Sequence, residues 1–286
     1  MQQIAPEPVD SVEVTILADN FFDGLLVSEG PARRPSLGPQ HLNVSTPFME
    51  DGLAFDQPVV QHGFGVLVVV GKNRRKHRLL FDTGATPDGL AENMRRMDLS
   101  AGDVEAIVLS HGHSDHTTGM DGLARVLGRA NLPVLIHPEF WNRRRLAFPG
   151  REPFELPTTS KGALEGADFE IVEEEEPSFL LDGSVLVTGE VDRSTPFERG
   201  MPGQQALKGG EWVPDPLILD DQALLVNVRG KGLVILAGCG HSGIVNVVRY
   251  ATKITGISEV HAIVGGLSPR SPVARTWASR SGAYIS

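Results

Sequence analysis

The sequence predicts a mixed α/β fold, because short apolar runs alternate along it with stretches compatible with helices. The apolar runs are rich in β-branched residues and have the length of buried strands; they cover residues 12–17, 65–70, 79–81, 106–109, 134–136, 185–187, 223–228, 233–236 and 260–264. Helices are predicted over 87–97, 121–127 and 244–255. Pro87 stands at the start of the first one, a position that proline favours because its missing N–H would be unpaired there.

Three long polar or Gly/Pro-rich intervals interrupt this pattern, at about 28–61, 148–167 and 192–221. Connections of this length are uncommon in compact domains and often serve as lids or substrate walls. Disorder is the alternative interpretation. We expect these intervals to run over the surface.

Composition and charge restrict the class of partner. With 41% hydrophobic and 22% charged residues, the chain of 286 residues has the composition of a packed globular protein. Its 26 basic and 36 acidic residues give 26 − 36 = −10, which disfavours nucleic acid as a partner. The basic run Arg143–Arg145 could still meet a small anionic substrate, although a solvated helix face is the simpler interpretation. A small-molecule substrate is therefore expected.

One cysteine, Cys239, cannot form an internal disulfide, which suits a reducing compartment and makes the cytoplasm the expected location. Residues 1–10 lack the basic and apolar stretches of a secretion signal. No apolar run approaches the roughly 18 residues that span a bilayer, so no membrane anchoring is expected. The sequence does not determine the oligomeric state.

Four potential metal ligands occur within six residues, at His111, His113, Asp115 and His116. Imidazole and carboxylate groups are natural ligands of zinc and similar divalent ions. The segment follows the apolar run 106–109, so it stands where a strand ends and a turn can gather its side chains. The alternative is three surface histidines with Asp115 capping a helix. The density of ligands favours a metal site.

This segment, His-Gly-His-Ser-Asp-His, resembles the His-x-His-x-Asp-His signature of the metallo-β-lactamase superfamily. The resemblance implies one domain over 1–286, made of two αβ halves, with a four-layer αββα fold in which two mixed β-sheets pack face to face between helices. It also implies that His111 and His113 bind one ion, and that Asp115 and His116 bind a second. Residues 81–84, Phe-Asp-Thr-Gly, look like the family's Asp-Thr-Gly turn, in which Asp82 would orient the metal loop.

Further segments resemble the branch related to dihydropterin-ribofuranosylaminobenzene-phosphate synthases. They lie at 18–20, 61–63, 188–191, 220–224 and 238–244. In that branch the histidine of Gly-Cys-x-His is expected to bind metal, which makes His241 the fifth candidate ligand; a capping or core histidine is the alternative. Cys239 could ligate as a thiolate, or be a buried structural cysteine.

The chain departs from the branch near its end. It reads Gly-Gly-Leu-Ser at 265–268, with Ser268 where members of the branch commonly carry a metal-binding histidine. A hydroxyl is a poor substitute for imidazole toward a transition metal. The second ion is then weak, absent or completed by another group, for which Glu190 is a candidate.

We therefore expect a metal-dependent hydrolase that uses metal-activated water on a small, possibly phosphorylated, ester or lactone substrate. Asp115 would orient that water or move its proton. One or two divalent ions are implied, zinc first, with manganese or iron as alternatives. Two other hypotheses remain open, a dihydropterin-type synthase or transferase and a metal-bearing binding protein. Aromatic residues of the long intervals could stack on a ring or simply pack; they are Phe48, Phe55, Phe154 and Trp212.

Overall fold

The computed structural model describes residues 3–34, 38–128 and 130–267. Its strands are β1 (Ser11–Ala18), β2 (Leu42–Ser45), β3 (Leu53–Phe55), β4 (Gly65–Lys72), β5 (Arg75–Phe81), β6 (Ala106–Val108), β7 (Leu132–Ile136), β8 (Arg144–Leu146), β9 (Phe154–Glu155), β10 (Phe169–Glu173), β11 (Ser178–Leu180), β12 (Val185–Val187), β13 (Gln204–Lys208), β14 (Glu211–Pro214), β15 (Ala223–Val228), β16 (Gly232–Ala237) and β17 (Val260–Gly265). Its α-helices are α1 (Gly89–Arg96), α2 (Ser114–Thr117), α3 (Met120–Leu127), α4 (Lys161–Gly166) and α5 (Ile244–Thr255).

Two main sheets organise the molecule. The first has six strands in the order β1-β4-β5-β6-β7-β10. Its β5, β6, β7 and β10 run parallel to one another, while β1 and β4 are antiparallel neighbours. The second sheet has five strands in the order β11-β12-β15-β16-β17, with only β16 and β17 parallel. Both sheets are mixed, as the family resemblance implied.

Alternate side chains of each sheet face opposite layers, because successive residues of a strand point to opposite sides. One set forms a core shared by the two sheets, including Val66, Val68 and Phe81 from the first and Leu224, Val226 and Leu236 from the second. The opposite set packs on helices. Leu67, Leu80 and Ile107 join Leu90 and Met94 of α1, and Leu225 and Ile235 join Val247 and Ile254 of α5. This arrangement confirms the predicted four-layer αββα fold.

The nine predicted strands all fall on observed strands, and the three predicted helices correspond to α1, α3 and α5. The long intervals were expected to be connections that run over the surface, and the structure shows that they also contain helices and strands. They contain the hairpin β2–β3, the short helix α4, and β9, β13 and β14, which form a third sheet with β8 in the order β14-β13-β8-β9. These strands are short and mostly half-buried or exposed, so their sequences lack the continuous apolar runs of the main sheets.

The basic run Arg143–Arg145 was interpreted as a solvated helix face, and the structure corrects this. Arg144 begins the strand β8 and is only 2% exposed. Its guanidinium is buried among carboxylates, which is how a buried arginine is normally accommodated.

No helix in the described part of the chain is long and apolar enough to cross a membrane. Ser268, on which the predicted loss of a second-site ligand depends, lies outside the described residues.

Candidate metal centre

The candidate ligands come together because several strands end at one rim of the two sheets. Asp82 follows β5 and Ser110 follows β6, and these parallel neighbours share a carboxyl edge. The segment 238–241 follows β16 of the second sheet. Gln222 connects the two sheets here, because its amide donates to the Ser110 carbonyl at 3.0 Å and its side chain donates to the Leu109 carbonyl at 2.9 Å.

Three imidazoles converge at this rim. His111 Nε2 lies 3.0 Å from His113 Nδ1, and the His241 ring centroid lies 4.7 Å from that of His111 and 4.9 Å from that of His113. One ligand atom of each residue lies within 4.8 Å of the others. His241 Nε2 is buried and has no hydrogen-bond partner among the described residues. An orphaned buried nitrogen beside two others fits a metal ion, and this set adds His241 to the two ligands expected for the first ion.

The protonation of these rings also suits metal binding, which requires a neutral imidazole. Burial lowers the pKa of His113 to about 3 and that of His241 to about 4, with neighbouring cationic groups adding to the effect. Burial and the adjacent histidines hold the pKa of His111 well below its ordinary value. All three rings are therefore neutral at neutral pH in the metal-free protein.

Two of the rings are oriented through their other nitrogen. His111 Nδ1 lies 2.8 Å from Ser110 Oγ, and His113 Nε2 lies 3.0 Å from Gln204 Oε1. Partners of this kind fix the tautomer and the rotation of metal-binding histidines. Gln204 could not be found from the sequence, because it lies on a short strand 91 residues from His113 and no motif marks it.

Asp82 lies beneath the loop, as the resemblance implied. Its carboxylate accepts hydrogen bonds from the Ser110 amide at 2.6 Å and the Ser110 hydroxyl at 2.7 Å, and its Oδ2 lies 2.6 Å from His116 Nδ1. Its backbone has φ 59°, the left-handed conformation that aspartate tolerates better than most residues. Asp82 therefore positions both ends of the metal loop.

His116 packs against His111, with ring centroids 4.4 Å apart, and these two histidines form a second group of close ligand atoms with Cys239. Its Nε2 lies 3.1 Å from Cys239 Sγ and 3.7 Å from Asp115 Oδ2. Burial would lower the pKa of His116, but the adjacent Asp82 and Cys239 outweigh burial and raise it well above its ordinary value. Asp115 is also 3.2 Å from Nε2 of the exposed His62. His116 and Cys239 therefore border the second ion's expected position.

Glu190, the candidate replacement ligand for the second ion, clusters elsewhere. In the described part of the chain it shares a group of close ligand atoms with His137 and Glu175 rather than with His116. The prediction that Glu190 replaces the missing ligand was therefore wrong. Glu190 follows β12, and its amide donates to the carbonyl of Glu175, which follows β10.

The turn of the metal loop is fixed by buried charges. The Gly112 amide donates to Asp220 Oδ2 at 2.8 Å, and Arg144 bonds both Asp220 and Asp215. A Cβ on Gly112 would stand 2.2 Å from the Phe140 carbonyl oxygen, so only glycine fits between the two histidines. Asp220 thus links the loop to the third sheet through Arg144.

The surroundings of three of the aromatic residues that could stack on a ring are clear from the structure. Phe48 is 96% exposed and Phe154 is 63% exposed, while the Arg145 guanidinium carbon lies 4.5 Å from the centroid of a Trp212 ring. The face of Trp212 is therefore occupied by a neighbouring cation.

Comparison with known proteins identifies the family. Residues 62–253 match the family model of the metallo-beta-lactamase superfamily. The chain belongs to this superfamily. Among curated proteins it is 32% identical over 225 residues to the 7,8-dihydropterin-6-methyl-4-(beta-D-ribofuranosyl)-aminobenzene-5'-phosphate synthase of Methanocaldococcus jannaschii, covering 76% of this chain and 74% of that protein. An uncharacterised protein of the same organism is 34% identical over 219 residues, with 76% of each chain covered. The predicted resemblance to this branch is confirmed.

A solved structure of the superfamily shares the fold. Tm1679, described as a metal-dependent hydrolase of the beta-lactamase superfamily, superposes with a TM-score of 0.61 at 19% identity, covering 92% of this chain and 78% of that chain. At this identity the likeness shows the fold alone.

Proposed function

We propose that this member of the superfamily is a metal-dependent hydrolase of a small ester, lactone or phosphoester. The observation that carries the proposal is the set of three neutral imidazoles, with His111 and His113 buried and His241 half-buried, and with Nε2 of His241 lacking a hydrogen-bond partner among the described residues. Three protein ligands are the number typical of catalytic rather than structural zinc sites.

A divalent ion held by these nitrogens would supply Lewis acidity, which activates water near neutral pH and polarises a carbonyl or phosphoryl oxygen. The protein's own groups would do the rest. The Asp115 side chain is 22% exposed, so it is accessible from solvent beside the imidazoles, and its carboxylate would accept a proton from the attacking water. His62, at 3.2 Å, would hold that carboxylate in place.

We further propose that a second ion, where present, is held by Asp115, His116 and the Cys239 thiolate. The 3.1 Å approach of His116 Nε2 to Cys239 Sγ supports this assignment. Thiolate and imidazole together favour zinc over manganese, with iron as the remaining alternative. Because a thiolate ligand must stay reduced, this assignment favours a reducing compartment such as the cytoplasm.

The named relative supports a second candidate, a synthase or transferase acting on a pterin-like or phosphorylated aromatic substrate. The specific observation in its favour is the 32% identity to the dihydropterin-ribofuranosylaminobenzene-phosphate synthase. The same centre would then position the substrate's phosphate.

Elemental analysis and a substrate panel separate these functions. We expect the purified protein to contain zinc. The H241N variant should contain one equivalent less. Where a second ion is present, C239S should also contain one equivalent less. Turnover of any phosphoester, lactone or thioester supports the hydrolase. Turnover restricted to pterin substrates supports the synthase, and metal without turnover on either set supports a binding protein.

Replacing the proposed proton acceptor tests the mechanism directly. D115N should lower kcat for hydrolysis by roughly 100-fold or more, because general-base catalysis typically contributes that much. The matched control is D121N, which changes an exposed aspartate at the start of α3 and should retain activity. Unchanged turnover in D115N, with the metal content of the wild type, would exclude Asp115 from catalysis.

A further inference from the structure

A second group of potential ligands lies where three other chain segments meet. His137 follows β7, Glu175 follows β10 and Glu190 follows β12, and one ligand atom of each lies within 4.8 Å of the others. The first two strands belong to the six-stranded sheet and the third to the five-stranded sheet. The cluster therefore joins segments that follow strands of both main sheets, with His137 buried, Glu190 half-buried and Glu175 exposed.

Backbone contacts bring these segments together independently of the side chains. The Glu174 amide donates to the Ile136 carbonyl, and the Glu190 amide donates to the Glu175 carbonyl, both at 2.9 Å. Gly189 has φ +60°, and a Cβ there would stand 2.0 Å from the Glu175 carbonyl oxygen. The close approach of these segments thus requires glycine at this position.

His137 supplies the observation that points to a ligand. The residue is 2% exposed. Its Nδ1 accepts a hydrogen bond from the Glu139 amide at 3.1 Å, whereas Nε2 is buried without a partner among the described residues. Buried polar atoms are normally hydrogen-bonded, so an unpartnered nitrogen on a ring that groups with two carboxylates calls for a bound group.

We propose that His137, Glu175 and Glu190 bind a divalent cation that holds the two main sheets together at this rim. One imidazole and two carboxylates are a donor set that suits Zn²⁺ or Mn²⁺. The cation would also compensate the negative charge that Glu175 and Glu190 bring into close proximity. This site shares no residue with the centre at His111, His113 and His241.

The hydrogen bond to Glu139 limits the affinity of this site. Because Nδ1 accepts it, the proton of the imidazole in the ion-free protein lies on Nε2. An ion at Nε2 displaces that proton, which moves to Nδ1, and the Glu139 amide then loses its acceptor. The site should therefore bind Zn²⁺ more weakly than the main centre, and the Glu139 amide should report binding.

The test is a count of bound Zn²⁺ after dialysis of the full chain against a fixed free Zn²⁺ concentration. E190Q, which keeps the shape of the side chain, should bind one equivalent less than the wild type, and so should E175Q. The matched control E176Q removes the same charge from the neighbouring exposed residue and should bind the wild-type number. In H241N the equivalent that depends on Glu190 should remain.

Two further readouts localise the ion. Titration with Zn²⁺ should shift the backbone amide resonance of Glu139 in the wild type and E176Q, but not in E190Q. Excess Zn²⁺ should also raise the unfolding midpoint of the wild type more than that of E190Q. Equal Zn²⁺ counts in wild type, E190Q and E175Q would overturn the proposal, and so would a loss in E176Q as large as that in E190Q.

Discussion

Gln204 is an uncharged residue that contacts one histidine of the candidate metal centre. Its Oε1 lies 3.0 Å from His113 Nε2, and its side chain is buried. This contact holds the proton of His113 on Nε2 and leaves Nδ1 free to face His111. Gln204 is thus a positioning residue that acts through His113.

Q204A should weaken Zn²⁺ binding at the main centre by about 10–100-fold, since the loss of such orienting partners typically has this effect. Q204E should restore much of the affinity, because its carboxylate also accepts the bond. Competition with a chelator measures both. The control is Q205A, which alters the adjacent residue that bonds Arg145 instead. A Q204A affinity equal to that of Q205A would contradict this role.

A buried network of salt bridges attaches β8 to the loop before β15. Arg144 is 2% exposed and bonds Asp215 at 3.0 Å and Asp220 at 2.5 Å. These carboxylates outweigh burial and raise the pKa of Arg144. Asp220 in turn binds the Gly112 amide, so the third sheet supports the metal loop.

R144M should lower the free energy of unfolding by about 3–5 kcal/mol, because it leaves two buried carboxylates without their partner. R143A breaks the exposed pair with Glu155 and should cost only about 0–1 kcal/mol. Urea unfolding of metal-free protein measures both changes. Similar losses in the two variants would show that the Arg144 network does not stabilise the fold.

The histidines of the candidate metal centre make the stability of the metal-free protein depend on pH. His113 and His241 have folded-state pKa values of about 3 and about 4, against 6.5 when unperturbed. At pH values between the folded and the unperturbed pKa values, these histidines are protonated in the unfolded chain and unprotonated in the folded chain. The contribution of these two neutral histidines to stability should therefore be fully present above about pH 6.5 and be lost as the pH is lowered toward their folded pKa values.

Between pH 6.5 and 5, H241N should show a weaker loss of stability than the wild type, by up to about 1.4 kcal/mol per pH unit. Urea unfolding of both metal-free proteins at several pH values measures the difference.

The raised pKa of Asp221 opposes the trend, but it does so in both proteins and cancels in the comparison. His116, whose pKa is raised, gives no slope below pH 6.5. Parallel profiles would contradict the prediction. The matched control is H261A, at an exposed histidine of β17, which should follow the wild type.

The main sheets could be predicted from sequence because their strands are buried on both faces. Runs such as 65–70 and 233–236 are continuously apolar, and such runs have few alternatives to a strand in a packed core. The strands of the third sheet could not be found in this way. β13 alternates buried and half-buried residues over only five positions, so its pattern is too short to be distinguished from a loop.

The metal loop was recognisable because its ligands are local. His111, His113, Asp115 and His116 are gathered by one turn, and their spacing alone fixes their proximity. His241 was found only through the family resemblance. No local pattern connects Gln204 to His113, or Glu190 to His137, because their proximity depends on how separate strands are placed.

Apolar patterning and short-range spacing are local properties of the chain, and they sufficed to predict the mixed α/β class and the position of the metal loop. The αββα arrangement followed from the family resemblance that this loop carries. The tertiary structure decided which nitrogens face one another, that Arg144 is buried, that His116 faces Cys239 and that Glu190 joins a different cluster. These are contacts between residues far apart in sequence. Their geometry is set by the packing of two sheets, and no segment carries that information alone.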